Sequence, residues 1–156
     1  YYLMTLHRPY NVDDPKKLKT ILTKLGEIDW RIVFPVHPRT RHILNESDIE
    51  IPGNIMLSEP LGYLDFILLE SASAKIITDS GGIQKEAYLL KKPCLTIRSE
   101  TEWIETLENG WNILLNPSDE EFVSRVEMFK PSLAQSNVFG RSVSRKMFEI
   151  ICDIAL

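Results

Sequence analysis

The sequence predicts an α/β fold, a doubly wound parallel sheet with helices on both faces. Three observations carry that expectation. Short apolar, β-branched runs recur along the chain and alternate with segments whose apolar residues repeat at helical spacing. One of these runs passes through Ser80-Gly81-Gly82 directly into a helix-favouring segment. Polar and basic residues follow several of the strand candidates, and ligands of parallel α/β sheets sit beyond the carboxyl ends of the strands.

The elements follow in order. Tyr2 to Leu6 reads as the first strand, and Asp13 or Asp14 caps a helix with Pro15 in its first turn and Leu18, Ile21, Leu22 and Leu25 on one face. Arg31 to Val36 is a second strand that Pro35 places near its end, with a short helix from about Thr40 to Asn45 behind it. Asn54 to Leu57 is the third strand, and Leu61, Leu64, Phe66, Ile67 and Leu68 populate a helix to about Ser73. Lys75 to Thr78 is the fourth strand, followed by a helix over Gln84 to Leu90. Pro93 to Ile97 makes the fifth strand, and Glu102 to Glu108 a helix closed by Asn109-Gly110; the plain alternative for Arg98 to Glu102 is a helix start with Thr101 as its cap. Asn112 to Leu115 is the sixth strand, Ser118 caps a helix to Phe129, Lys130 to Asn137 is a loop, and a last helix spans about Phe139 to Ile154.

At 156 residues the chain suits one domain and can bury a real core. Hydrophobic residues at 44% and charged residues at 26% are ordinary globular values, and the net charge of −4 weighs against nucleic acid as a partner. No apolar run approaches membrane-spanning length, and no signal peptide is visible, so no membrane partner is expected. Cys94 and Cys152 stand far apart in apolar surroundings and read as free thiols, as in a reducing cytoplasm. The opening run Tyr1-Tyr2-Leu3-Met4 has no initiator methionine or lead-in, and reads as a cut at a domain boundary.

Strand, Ser-Gly-Gly, helix is the layout that points unpaired backbone N–H groups at an anion, with the helix dipole favouring negative charge there. Charge-assisted hydrogen bonds contribute roughly 1.5–3 kcal/mol each, so two or three would anchor a diphosphate. Glu86, one turn into the helix, can accept hydrogen bonds from vicinal ribose hydroxyls. The alternative is a plain strand-to-helix turn with Ser80 as a cap and Glu86 solvated. Four strand ends bring His7-Arg8, His37-Pro38-Arg39, Ser80-Gly81-Gly82 and Arg98 to one edge, a basic site suited to an anion. His7 can pair with a leaving phosphate or donate a proton, and Arg98 offers a planar fork for phosphate oxygens. Each also has an ordinary surface role open to it. His42 reads as solvated, and Tyr63 and Phe66 either flank a planar base or pack in the core. No His/Cys cluster has metal-ligand spacing, and Asp79-Ser80-Gly81-Gly82 lacks the residue that a nucleophile elbow needs.

Taken together, the segments Thr5-Leu6-His7-Arg8-Pro9-Tyr10-Asn11, Phe34 to Thr40, Leu57 to Phe66, Asp79 to Ala87 and Arg98 to Asn112 resemble the C-terminal half of the non-hydrolysing UDP-N-acetylglucosamine 2-epimerases. The resemblance implies a Rossmann-like domain, one half of a GT-B-type two-domain enzyme whose N-terminal domain is absent here. It implies that Ser80, Gly81 and Gly82 hold the diphosphate of UDP and that Glu86 binds the ribose. His7 matches the family's active-site histidine, with Arg8 beside it, and Arg98 matches the arginine of the Arg-x-x-Thr-Glu motif. Backbone from Pro60 to Tyr63 would lie near the uracil, with His37 on that side of the cleft.

The implied reaction converts UDP-N-acetylglucosamine to UDP-N-acetylmannosamine by elimination and re-addition of UDP, with no nicotinamide or metal cofactor. The carboxylates that move the C2 proton would lie in the absent domain, so this chain alone would bind nucleotide without turnover. A homodimeric, cytoplasmic parent serving polysaccharide biosynthesis is implied as well. Two departures stand out: Asn137 to Ser144 lacks the acidic residue that usually follows the Phe-Gly step, and Thr101-Glu102-Trp103 replaces the commoner Thr-Glu-Arg-Pro. Competing readings are a GT-B UDP-sugar glycosyltransferase, a hydrolysing 2-epimerase and a non-catalytic nucleotide-binding module.

Overall fold

The computed structural model describes residues 1–132 and 134–154. Its elements run β1 (Tyr2–Thr5), α1 (Pro9–Val12), α2 (Pro15–Gly26), β2 (Ile32–Pro35), α3 (Pro38–Glu46), β3 (Ile55–Ser58), α4 (Tyr63–Ala72) and β4 (Lys75–Thr78). They continue with α5 (Gly81–Leu89), β5 (Cys94–Thr96), α6 (Ile104–Glu108), β6 (Asn112–Leu114), α7 (Phe122–Met128) and α8 (Val143–Ile154). The six strands form one sheet in the order β3-β2-β1-β4-β5-β6, every pairing parallel. This is the doubly wound α/β arrangement expected from the sequence.

Alternation along the strands sorts the core into two layers. Met4, Phe34, Ile77 and Leu95 point to one face and pack with Leu18, Leu22 and Leu25 of α2, Leu44 of α3, and Phe122 and Val126 of α7. Leu3, Ile76 and Cys94 point to the other and meet Ala87 and Ile83 of α5 with Phe66 and Leu69 of α4. The central strands β1 and β4 run in register, Thr5 opposite Thr78, and their hydroxyl oxygens lie 2.7 Å apart at the carboxyl edge. Local signals set the boundaries. Asp14 caps α2 by accepting from the Lys16 N–H, and Gly110, at φ +67°, ends the α6 segment in the left-handed conformation that glycine tolerates.

Three expectations need correction, and one helix stands where none was assigned. The short α1 follows His7-Arg8, and Pro9 at its first position makes a single turn easy to start. Ser118 does not cap α7, which begins at Phe122 behind Glu121; the Ser118 N–H instead goes to the Asn116 side chain. Thr101, three residues before α6 begins, accepts from the Trp103 N–H, so it fixes the approach rather than the cap. The final helix starts at Val143, because Gly140 (φ +73°) and Ser142 (φ +54°) break helical geometry ahead of it.

The apolar residues of α4 do not share one environment. Leu64 and Leu68 are 76% and 65% exposed, while Phe66 and Leu69 pack on the sheet and Glu70 is wholly buried. Cys94 is buried and Cys152 half-buried, both as free thiols. None of the described residues of α8 is buried, and Phe148, Ile151 and Ile154 lie exposed along it. No helix of the described residues is long and apolar enough to cross a membrane.

Candidate functional site

The strand order creates the site. Chain crossovers run to one side from β1 through β2 to β3, and to the other from β4 onward, so β1 and β4 lie side by side where the direction reverses. At such a switch point the loops part and leave a crevice beyond the strand ends. A hollow of about 500 Å³ occupies it. His7 after β1, His37 after β2, Tyr63 at the start of α4, and Ser80, Gly82 and Glu86 after β4 all line it, between apolar walls from Leu6, Pro60, Leu61, Phe66 and Ile83.

Ser80 is the N-cap residue of α5 by position, extended at φ −87° and ψ 128°, yet its side chain makes no capping hydrogen bond. The first-turn N–H groups of α5 therefore have neither an intrahelical acceptor nor a side-chain cap. The Ser80 N–H itself turns back to the Thr78 hydroxyl at 2.9 Å. Gly82 is open: a Cβ added there would meet only Ser80 Oγ, at 3.8 Å. Gly81 differs, because a Cβ there would fall 2.2 Å from Glu102 Oε1 and 3.2 Å from Trp103 Nε1. The β5–α6 segment thus lies across Gly81, and Gly81 is buried outside the hollow.

Arg98 does not line the hollow either. Its Nη1 is paired with Glu102 at 2.7 Å, and it borders a second, smaller hollow with Tyr10, Lys17 and Asn116. The backbone N–H of Glu102, then Arg98 and Arg8, hold that carboxyl below the ordinary carboxylate range despite some desolvation. Arg39 pairs with Asp13 at 2.5 Å, and Arg8 is half-buried with its Nε unpartnered. Two of the three arginines that the strand ends gather are therefore matched by carboxylates, and the edge is less basic than the residue types suggest. Among the described residues no group of three or more His, Cys, Asp or Glu could hold a metal ion.

His37 lines the hollow but also caps α3, its Nδ1 accepting from the Arg39 N–H at 3.2 Å. His42 stands exposed on α3, 3.5 Å from Glu46.

Three contributors escaped sequence reasoning. Asp79, wholly buried, accepts from the Arg8 N–H at 3.0 Å, the His7 N–H at 3.2 Å and Asn11 Nδ2 at 3.1 Å. Its signal was a lone acid directly after a buried strand, where desolvation demands partners. Gln84 is also wholly buried; its Oε1 accepts from the Thr101 hydroxyl at 2.6 Å and from Asn112 Nδ2 at 3.2 Å, tying α5 to the segment that carries Arg98. Glu70 lies buried with neither carboxylate oxygen hydrogen-bonded, and burial, reinforced by Glu86, pushes its pKa up to about 8. Nothing in the local sequence marks Glu70 apart from any other helical glutamate.

A family model described as UDP-N-acetylglucosamine 2-epimerase matches residues 1–151. The chain belongs to that family. It is 43% identical over 160 residues to a UDP-N-acetylglucosamine 2-epimerase homolog of Methanococcus maripaludis, a match covering 99% of this chain and 45% of the relative. It is 40% identical to a UDP-2,3-diacetamido-2,3-dideoxy-D-glucuronate 2-epimerase of Pseudomonas aeruginosa, over 90% of this chain and 40% of that protein. Among solved structures, the UDP-GlcNAc 2-epimerase of Methanocaldococcus jannaschii in complex with UDP-GlcNAc and UDP superposes with a TM-score of 0.89 at 39% identity, over 99% of this chain and 45% of that one. The glycosyltransferase CalG4, at 16% identity and a TM-score of 0.58, shares the fold. The chain thus spans about half the length of the epimerase-family proteins it matches, and its sheet corresponds to one portion of that larger architecture.

Proposed function

We propose that this chain is the nucleotide-gripping half of a UDP-N-acetylglucosamine 2-epimerase. The observation that carries the reading is the meeting of an uncapped helix N-terminus, a carboxylate one turn further on and a histidine in one hollow at the sheet's switch point. The Ser80 hydroxyl and the open first-turn N–H of Gly82 receive the diphosphate, with the α5 dipole behind them, while the Ser80 N–H stays on the Thr78 hydroxyl and buried Gly81 gives room to the β5–α6 segment. Glu86 accepts from the ribose hydroxyls. Tyr63 and His37 border the space left for the base, and the apolar wall from Pro60 to Phe66 suits its face. Arg98 is held by Glu102, which lies against Gly81, and reaches phosphate only by exchanging Glu102 for it.

In the full-length parent, the UDP–sugar bond at C1 breaks with its electron pair passing to the diphosphate oxygen while the C2 proton goes to a base. A C1=C2 double bond results, and UDP then adds back with the C2 configuration inverted. The groups that move the C2 proton come from the other half of the enzyme, so this chain binds UDP and does not turn over alone. The parent is read as a cytoplasmic homodimer supplying a sugar for polysaccharide assembly, with no nicotinamide or metal cofactor.

The test has two steps. Calorimetric titration of this chain with UDP, UMP and uridine should rank them in that order. The intact gene product should interconvert UDP-N-acetylglucosamine and UDP-N-acetylmannosamine. Because one 40%-identical relative is named for a diacetamido-glucuronate, that UDP-sugar is assayed in parallel. Equal binding of uridine and UDP, or no epimerisation of either sugar, would overturn the reading.

A further inference from the structure

We propose that Asp79 is a positioning residue for His7: it takes the Nδ1 side of the imidazole, so that Nε2 is the nitrogen offered to the ligand's diphosphate. The inference rests on the nucleotide-sugar reading above. His7 Nδ1 stands 3.2 Å from Asp79 Oδ1, while the His7 side chain is 42% exposed and lines the hollow. Asp79 is 0% exposed, and a buried carboxylate must find partners for about four lone-pair sites. The His7 and Arg8 N–H groups and the Asn11 amide fill three of them and already fasten the β1–α1 turn. The imidazole is the remaining partner. It is the only one of the four whose other end reaches the hollow.

The chemistry this serves is charge control at the leaving group. When the C1–O bond breaks, its electron pair adds a negative charge to the diphosphate, and the C2 proton leaves to a base outside this chain. A protonated His7 donates Nε2–H to that oxygen while Asp79 balances the imidazolium from below. On re-addition the charge returns to the C1–O bond and His7 is unchanged. Thr78, at the end of the same strand, bonds to Thr5 and to the Ser80 N–H, so the turn carrying Asp79 is braced on the central strands. In a free site such contacts are often long and tighten only on ligand binding, as the 3.2 Å separation would here.

The experiment reads the His7 tautomer by two-bond proton–nitrogen spectra of the chain labelled with ¹⁵N-histidine, at a pH where the rings are neutral. The chain has three histidines, so His37→Gln and His42→Gln variants assign the signals. The expected result is an Nδ1–H tautomer for His7 and a shift to Nε2–H in Asp79→Asn. An Nε2–H tautomer in the unaltered chain overturns the proposal, whether or not Asp79→Asn folds; an unchanged tautomer in a folded Asp79→Asn does so too. In the full-length parent, Asp79→Asn should lower kcat roughly 100-fold, at the lower end of what a positioned acid supplies, with KM changed far less. A rise in KM alone would make Asp79 a loop anchor and nothing more. UDP titration of the same samples separates the outcomes: binding with the wrong tautomer sinks only this proposal, while absence of binding sinks the nucleotide reading.

Discussion

Gly82→Ala should make the protein more stable and a poorer UDP binder at once. Gly82 sits in the first turn of α5 with an ordinary negative φ, and the added Cβ would have only Ser80 Oγ near it, at 3.8 Å. Alanine is a better helix former than glycine and narrows the unfolded ensemble, effects of about 0.4–1 kcal/mol at compatible sites. In a first turn the lower end applies, and ~0.5 kcal/mol in a chain of this size raises Tm by about 1–2 °C. The same methyl projects into the hollow where the diphosphate would approach the N–H groups. Losing one charge-assisted hydrogen bond there removes about 1.5–3 kcal/mol, a roughly 10- to 150-fold rise in the Kd for UDP. Thermal unfolding and calorimetry on one preparation read both signs, and uridine, lacking phosphate, should bind Gly82→Ala as it binds the parent. A raised Tm with unchanged UDP affinity would refute placement of the diphosphate on this turn. Gly81→Ala is the less clean experiment, since its Cβ collides with Glu102 and crowds Trp103, disturbing the Arg98 pair along with any ligand.

Three further outcomes are expected. Glu86→Gln keeps the shape but removes the charge, so UDP affinity should fall roughly tenfold or more, with UMP falling in parallel because both carry the ribose. Glu70 should impose a pH dependence on stability. Folded, its carboxyl keeps a proton up to about pH 8, whereas the unfolded chain releases it near 4.5, so the native state holds the extra proton in between and stability falls as pH rises by up to ~1.4 kcal/mol per unit. Urea unfolding at pH 5.5 and pH 8 should show that loss, and Glu70→Gln should flatten it; an equal slope in the variant would assign the effect elsewhere. Cys94 should resist a thiol-titrating disulfide reagent until the protein unfolds, because burial pushes its thiol up to about 12, while half-buried Cys152 reacts first.

Much of the fold could be read from local patterns because those patterns have local causes. Lys75 to Thr78 is a strand with the bounds expected, since a four-residue β-branched run between Ala74 and the Asp-Ser-Gly-Gly turn leaves little latitude. Asp14-Pro15 started α2 for the same kind of reason, a cap and a preset φ. Reading failed where a third element decides. Ser118 is a good cap by type, but the Asn116 side chain takes its N–H, and the helix waits for Phe122 to reach the core. Leu64 and Leu68 are apolar and helical, yet α4 turns Phe66, Leu69 and Glu70 to the sheet instead. Arg39 and Arg98 looked like anion binders because their carboxylate partners, Asp13 and Glu102, cannot be paired with them by composition.

The alternation of strands and helices, the glycine turn and the residues at the strand ends were all written in the linear chain, because each depends on neighbours within a turn or two. Their assembly into one site was not. His7 and Asp79 are 72 residues apart, and they meet only because β4, rather than a strand nearer in sequence, pairs with β1 on its second side. That choice of partner depends on which apolar faces pack together over the whole sheet. The burial of Asp79, the pairing of Arg98 and the protonation of Glu70 are consequences of it, since solvent exclusion and close charges are properties of the packed molecule and of no single segment.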